Sequence, residues 1–101
     1  MSNDATTQWW LAVVGEHLMW ARLRELDAGT ADILDNDGRL LVYDSPDTAR
    51  AALMDADYRE LDGLDAEDAR DLGLDLATLA PPAAGDEAAL AQLMTQRLVA
   101  R

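Results

Sequence analysis

The 101-residue sequence contains no cysteine, no lysine and a single histidine, His17. Without cysteine there are no disulfide bonds, thiolate metal ligands or cysteine nucleophiles. One histidine rules out a multi-histidine metal site within the chain, and Ser2 and Ser45 are the only serines available to a nucleophile–base pair. The glycine-rich phosphate loops, zinc-protease motifs and serine-hydrolase motifs do not occur either. We therefore predict no catalytic residue, no metal ion and no cofactor, and expect a protein that is not an enzyme.

Long apolar runs are also missing. The longest, Trp9–Val14, has six residues, whereas roughly twenty are needed to cross a bilayer. Residues 1–8 contain no basic residue and include Asp4, which is not the pattern of a signal peptide. These observations predict a cytoplasmic protein with no membrane partner.

The sequence is strongly acidic, since it contains twenty acidic residues and eight arginines and has a formal net charge of −12. This excess disfavours binding to nucleic-acid phosphates and to anionic membrane surfaces. It also opposes a role for Trp9, Trp20 and Tyr43 as a platform that stacks RNA bases. Half of the residues are apolar, which is enough for one hydrophobic core.

The acidic residues concentrate in the middle of the chain, where residues 44–75 carry eleven acids and three arginines. A solvated face that keeps the protein soluble is the simplest interpretation. The alternative is an acidic surface within residues 55–75 that imitates a nucleic-acid backbone and blocks a basic site on another protein. The residues that would form it are Asp55, Asp57, Asp62, Asp65, Asp68 and Asp71.

Residues 8–43 have the pattern of a four-stranded antiparallel β-meander. Gly15-Glu16 suits a two-residue turn, and residues 27–29 suit a three-residue loop that ends in glycine. A four-residue loop is predicted at Asp35–Gly38, where the Asp/Asn/Gly cluster favours a turn. We prefer this turn to a calcium loop because Ile33, which has no ligand oxygen, would occupy the first ligand position.

Helical signals follow the strands. Ser45 is a suitable N-cap before Pro46, so a helix is expected over about 46–57, with an apolar stripe facing the sheet. Residues 58–64 are compatible with a loop or a fifth strand. A short helix is predicted at Ala66–Leu72, between the cap Asp65 and the stop Gly73.

The sequence predicts a separate helix at the end of the chain. Residues 81–85 have the proline, alanine and glycine content of a linker, and Asp86 can cap a helix that extends to about Ala100. The predicted fold class is therefore α+β. It comprises a single domain at 1–80, a linker at 81–85 and a C-terminal helix at 86–101.

The turns also predict which side chains share a face of the sheet. Leu40 and Val42 are expected on the face that packs against helix 46–57. The opposite face is expected to carry Trp9, Leu11, Leu18, Trp20 and Tyr43. A patch of this size is not expected to remain exposed, so the C-terminal helix, a second copy or a protein partner should cover it.

These observations together predict a small acidic protein-interaction or regulatory domain without catalytic activity. Binding to a protein partner, or formation of a homodimer, is expected to use the apolar and aromatic sheet face. The alternative is an inhibitor that uses the acidic residues to block a nucleic-acid-binding site.

Overall fold

The fold is an antiparallel sheet with helices on both faces, in a computed structural model that describes residues 6–98. The first half contains β1 (Thr6–Val14), β2 (His17–Glu25), β3 (Ala31–Leu34), β4 (Leu40–Tyr43) and α1 (Pro46–Asp55). The second half contains β5 (Arg59–Glu60), a 3-10 turn (Leu61–Gly63), α2 (Ala66–Asp71), α3 (Glu87–Leu93) and β6 (Thr95–Arg97). The predicted α+β class and meander are confirmed. Among the helices of this described part, none is both long and apolar enough to cross a membrane.

Strand β2 is the centre of the sheet. One of its edges pairs with β1 over the whole strand, and the other is shared by β3, at Arg22–Glu25, and β6, at His17–Met19. Between these two partners, the backbone N–H of Trp20 donates to the carbonyl of Met94 at 2.8 Å. The strand order is β4-β3-β2-β1-β5, so β4 and β5 lie at opposite edges.

The first two hairpins have the predicted register, with Val14 opposite His17 and Leu23 opposite Ile33. The predicted register of β4 is wrong by one residue, because Ile33 pairs with Leu41 rather than Leu40. The cause is the preceding loop. The Asp35 N–H donates to the Arg39 carbonyl at 3.0 Å, and Gly38 has a φ of 85°, so the loop contains three residues instead of four.

A shift of one residue turns every side chain of β4 to the other face. Tyr43 therefore packs with the core beneath α1, and Leu40 and Val42 point away from α1. Helix α1 begins as predicted, since the Ser45 hydroxyl accepts from the Thr48 N–H at 3.1 Å and Pro46 occupies the first turn. It ends at Asp55, and its buried side chains belong to the same core as Trp10, Leu23 and Ile33.

The other face of the sheet carries the second core. Its fully buried members include Leu11 and Trp20 from the sheet and Met94 from the end of α3. Leu64 and Ala69, around the start of α2, complete this side. The ambiguous segment 58–64 contains the short strand β5, which pairs with Trp10 and Leu11 of β1, followed by the 3-10 turn.

The C-terminal helix is shorter than predicted. Helix α3 ends at Leu93, and Thr95–Arg97 form β6, whereas the sequence predicts a helix to about Ala100. The reason lies in the tertiary structure, because His17–Met19 of β2 would otherwise have an open edge. Residues 99–101 lie outside the described residues. Residues 81–85 form neither helix nor strand, and residues on both sides of them contribute to the second core.

Candidate interaction surface

The aromatic sheet face predicted to bind a partner is covered by the chain itself. Leu11, Leu18 and Trp20 are buried beneath α2, α3 and the segments that flank them. Trp9 is partly buried beside them, with its ring edge-on to Trp20 and the ring centroids 6.0 Å apart. Of the three predicted covers, the C-terminal helix lies over this face as α3, and α2 covers it as well, which the sequence did not predict.

Tyr43, the fifth residue of that predicted site, lies on the opposite face. It lines a groove of about 290 Å³ between α1 and the β3–β4 hairpin, together with Leu41 and Tyr58. Burial raises the pKa of Tyr58, and the nearby carboxylates of Asp35 and Asp37 raise it further. The structure therefore does not bring Tyr43 together with the four other residues.

The most exposed apolar strand is β4, at the edge of the sheet. Leu40, Leu41 and Val42 retain 43%, 41% and 69% of their surface exposed. Backbone groups point alternately to the two sides of an antiparallel strand, and the Arg39 carbonyl bonds back to Asp35. The N–H and carbonyl groups of Leu40 and Val42 therefore point outward from the sheet, where no described strand pairs with them.

The sequence pattern alone did not identify this edge as a binding surface. The available signal was the apolar run Leu40–Tyr43 in the last strand of the meander, since a meander leaves its last strand unpaired on one side. The run has no lysine or proline that would discourage pairing with another strand. The predicted four-residue loop placed Leu40 and Val42 under α1, so these residues were expected to be buried rather than exposed at an edge.

A partly buried ionic cluster lies beside β4, in which Asp32 is buried, Arg22 and Arg24 are partly buried and Glu87 is exposed. The Arg24 guanidinium donates to both carboxylate oxygens of Asp32, Nε to Oδ1 at 3.0 Å and Nη2 to Oδ2 at 2.7 Å. This hydrogen bonding raises the pKa of Arg24. Arg22 binds Glu87 at the start of α3 at 2.8 Å, which attaches the helix to the sheet. The cluster therefore stabilises the position of α3.

The predicted acidic residues lie in two different settings. Asp65 caps α2, accepting from the Asp68 N–H at 2.8 Å, and Asp68 itself lies 3.9 Å from Arg59. The other four are exposed and make no salt bridge within residues 6–98; they are Asp55, Asp57, Asp62 and Asp71. Within the same residues, no group of three acidic or histidine side chains could hold a metal ion.

No protein-family model, curated protein or solved structure matches this chain.

Proposed function

We propose that this chain is a small acidic protein-interaction domain without catalytic activity, and that it binds a protein strand along the open edge of β4. The observation that supports this is the run Leu40-Leu41-Val42, whose side chains are exposed on a strand with outward-pointing backbone groups. An added strand gains affinity from main-chain hydrogen bonds and specificity from the surfaces beside the edge. The proposal keeps the interaction role expected from the sequence but moves it away from the buried aromatic face.

Both sides of β4 offer apolar contacts to such a strand. Leu40 and Val42 lie on the face opposite α1, whereas Leu41 borders the groove that also contains Tyr43 and Tyr58. Alternate side chains of an added strand would therefore meet apolar surface on both faces of the sheet. A strand with apolar residues at consecutive positions fits this edge better than an amphipathic one.

The experiment is a selection of random displayed peptides against the full chain, followed by affinity measurements on two variants. Val42→Lys places a charge on the open edge. Val14→Lys is the matched control, because Val14 is 58% exposed but lies at the end of β1. We expect Val42→Lys to weaken peptide binding about tenfold or more and Val14→Lys to leave it unchanged. Peptides that bind both variants equally would contradict the proposal.

A second candidate function is inhibition of a basic site by the acidic surface. It is supported by the exposure of Asp55, Asp57, Asp62 and Asp71 and by their lack of salt bridges within residues 6–98. Selection would then yield arginine- and lysine-rich peptides whose affinity falls as salt is added. The double variant Asp62→Asn/Asp71→Asn should weaken such peptides and leave strand-type binding at β4 unchanged.

A further inference from the structure

We infer that the strand bound at β4 is β4 of a second copy of this chain, so that two sheets join into one across a two-fold axis. This inference rests on the proposed function, since it requires β4 to be the binding edge. It also specifies the occupant, which a general strand-binding proposal does not.

Symmetry restricts how two copies of β4 can pair. A two-fold axis that relates neighbouring antiparallel strands is perpendicular to the sheet and keeps each face on its own side. Opposed residues must then come from the same face, and outward-pointing backbone groups must meet each other. With Leu41 on the axis, Leu40 of each copy faces Val42 of the other. Leu40 and Val42 are the two residues of β4 whose backbone groups point outward.

This register also matches the side chains. On the face opposite α1, the aliphatic residues Leu40 and Val42 meet across the axis. On the α1 face, the two Leu41 side chains meet, and Arg39 lies opposite Tyr43, where a cation can contact an aromatic ring.

The neighbouring symmetric registers match less well. An axis at Val42 would set Asp44 against Leu40, and an axis at Leu40 would set Gly38 against Val42. The register centred on Leu41 is therefore the one that pairs every aliphatic residue of β4 with another.

Much of the net charge of −12 lies away from this edge, although the exposed residues Asp37 and Asp44 flank β4. β5 lies four strands away from β4, about 19 Å at the usual spacing, and the acidic 3-10 turn and α2 follow it. In the proposed dimer these acidic segments lie at the two far ends of the joined sheet. The remaining repulsion is screened by salt, so dimerisation should strengthen as salt is added.

The size of the contact sets the expected affinity. A four-residue strand buries much less than the roughly 800 Å² per partner of a standard interface. We therefore expect a reversible dimer with a dissociation constant between about 1 µM and about 1 mM.

Sedimentation equilibrium of the full chain tests the inference between about 1 µM and about 1 mM protein. The mass should rise from 11.0 kDa toward twice that value, and more steeply at higher salt. Val42→Lys should remain monomeric throughout, whereas Val14→Lys should dimerise like the wild type. Wild-type protein that stays monomeric to the highest concentration, or a dimer that Val42→Lys does not disrupt, overturns the inference.

A charge-pairing experiment tests the register. Because Leu41 faces itself across the axis, Leu41→Lys alone and Leu41→Glu alone should each abolish the dimer. An equimolar mixture should form a heterodimer, since lysine then faces glutamate. Such a heterodimer also shows that both variants fold. Failure of the mixture to associate overturns the register.

The two proposals fail in different ways. If the wild type is monomeric but selected peptides still require Val42, the second-copy inference is wrong and the proposed function stands. If Val42→Lys changes neither association nor peptide binding, both are wrong.

Discussion

At the scale of single residues, α1 and α2 end with the same pattern of backbone hydrogen bonds. They differ in the residue that takes the left-handed conformation after the helix. After α1, Asp57 adopts a φ of 68°, and the Tyr58 N–H donates to the Leu53 carbonyl at 2.9 Å. After α2, Gly73 adopts a φ of 81°, and the Leu74 N–H donates to the Ala69 carbonyl at 2.8 Å. Glycine suits this left-handed position because it has no Cβ. Asp57 is therefore the less favourable of the two.

We expect Asp57→Gly to stabilise the protein by about 0.5 to 1 kcal/mol. The change relieves the backbone and removes a negative charge from the C-terminal end of α1, where the helix dipole disfavours it. Urea unfolding measures the free energy. The reciprocal change Gly73→Asp is the matched control and should destabilise by about 1 kcal/mol. A loss of stability in Asp57→Gly would contradict this reading of the helix end.

At the scale of elements, the segment around α3 and β6 is part of the core rather than an appended helix. Met94 is fully buried, and its carbonyl accepts from Trp20 of the central strand. Beyond it, the Leu98 N–H donates to the Glu16 carbonyl at 2.6 Å, and Arg97 contacts the Glu16 side chain at 3.2 Å. The sequence predicts weak attachment of this segment, with faster amide exchange over 86–101 than over 46–57. That comparison remains a prediction to be measured.

Two adjacent substitutions test how firmly this segment is held. Met94→Ala should cost about 2 to 4 kcal/mol of unfolding free energy, because it leaves a cavity against Leu11 and Trp20. Leu93→Ala should cost less than about 1 kcal/mol, because Leu93 is 45% exposed. Chemical unfolding of both variants gives the comparison. Equal costs would mean that the end of α3 does not pack as described.

At the scale of the whole molecule, the net charge of −12 works against the compact state. Several acidic residues are neutralised locally, as Asp32 is by Arg24 and Glu25 by Arg50 at 3.1 Å. The exposed carboxylates of the 3-10 turn and α2 have fewer such partners, and they repel one another.

Added salt should therefore raise the free energy of unfolding. The screening length falls from about 30 Å at 0.01 M to about 3 Å at 1 M, which shortens the range of this repulsion. The variant Asp62→Asn/Asp71→Asn should gain less stability from salt than the wild type. Thermal unfolding at dilute, monomeric concentration separates this effect from association. A wild type destabilised by sodium chloride would contradict the prediction.

Local signals in the sequence account for much of the fold. The turn at Gly15-Glu16, the cap at Ser45-Pro46 and the stop at Gly73 are short-range features whose backbone requirements are met by neighbouring residues. Strand alternation also placed Trp9 and Trp10 on opposite faces, because successive side chains of a strand must point apart. The α+β class follows from these signals.

The features of the fold that the sequence did not predict depend on contacts between residues that are distant in the chain. Thr95–Arg97 form a strand because they pair with the edge of β2 at His17–Met19. The helical periodicity of the sequence near residue 95 does not indicate that this edge lies beside it. Leu11, Leu18 and Trp20 are buried because residues 64–94 fold back onto the sheet. The sequence of a single strand cannot specify which of the three predicted covers is used. The exposed edge of β4 was decided in the same way, because an edge exists only once the order of strands is set.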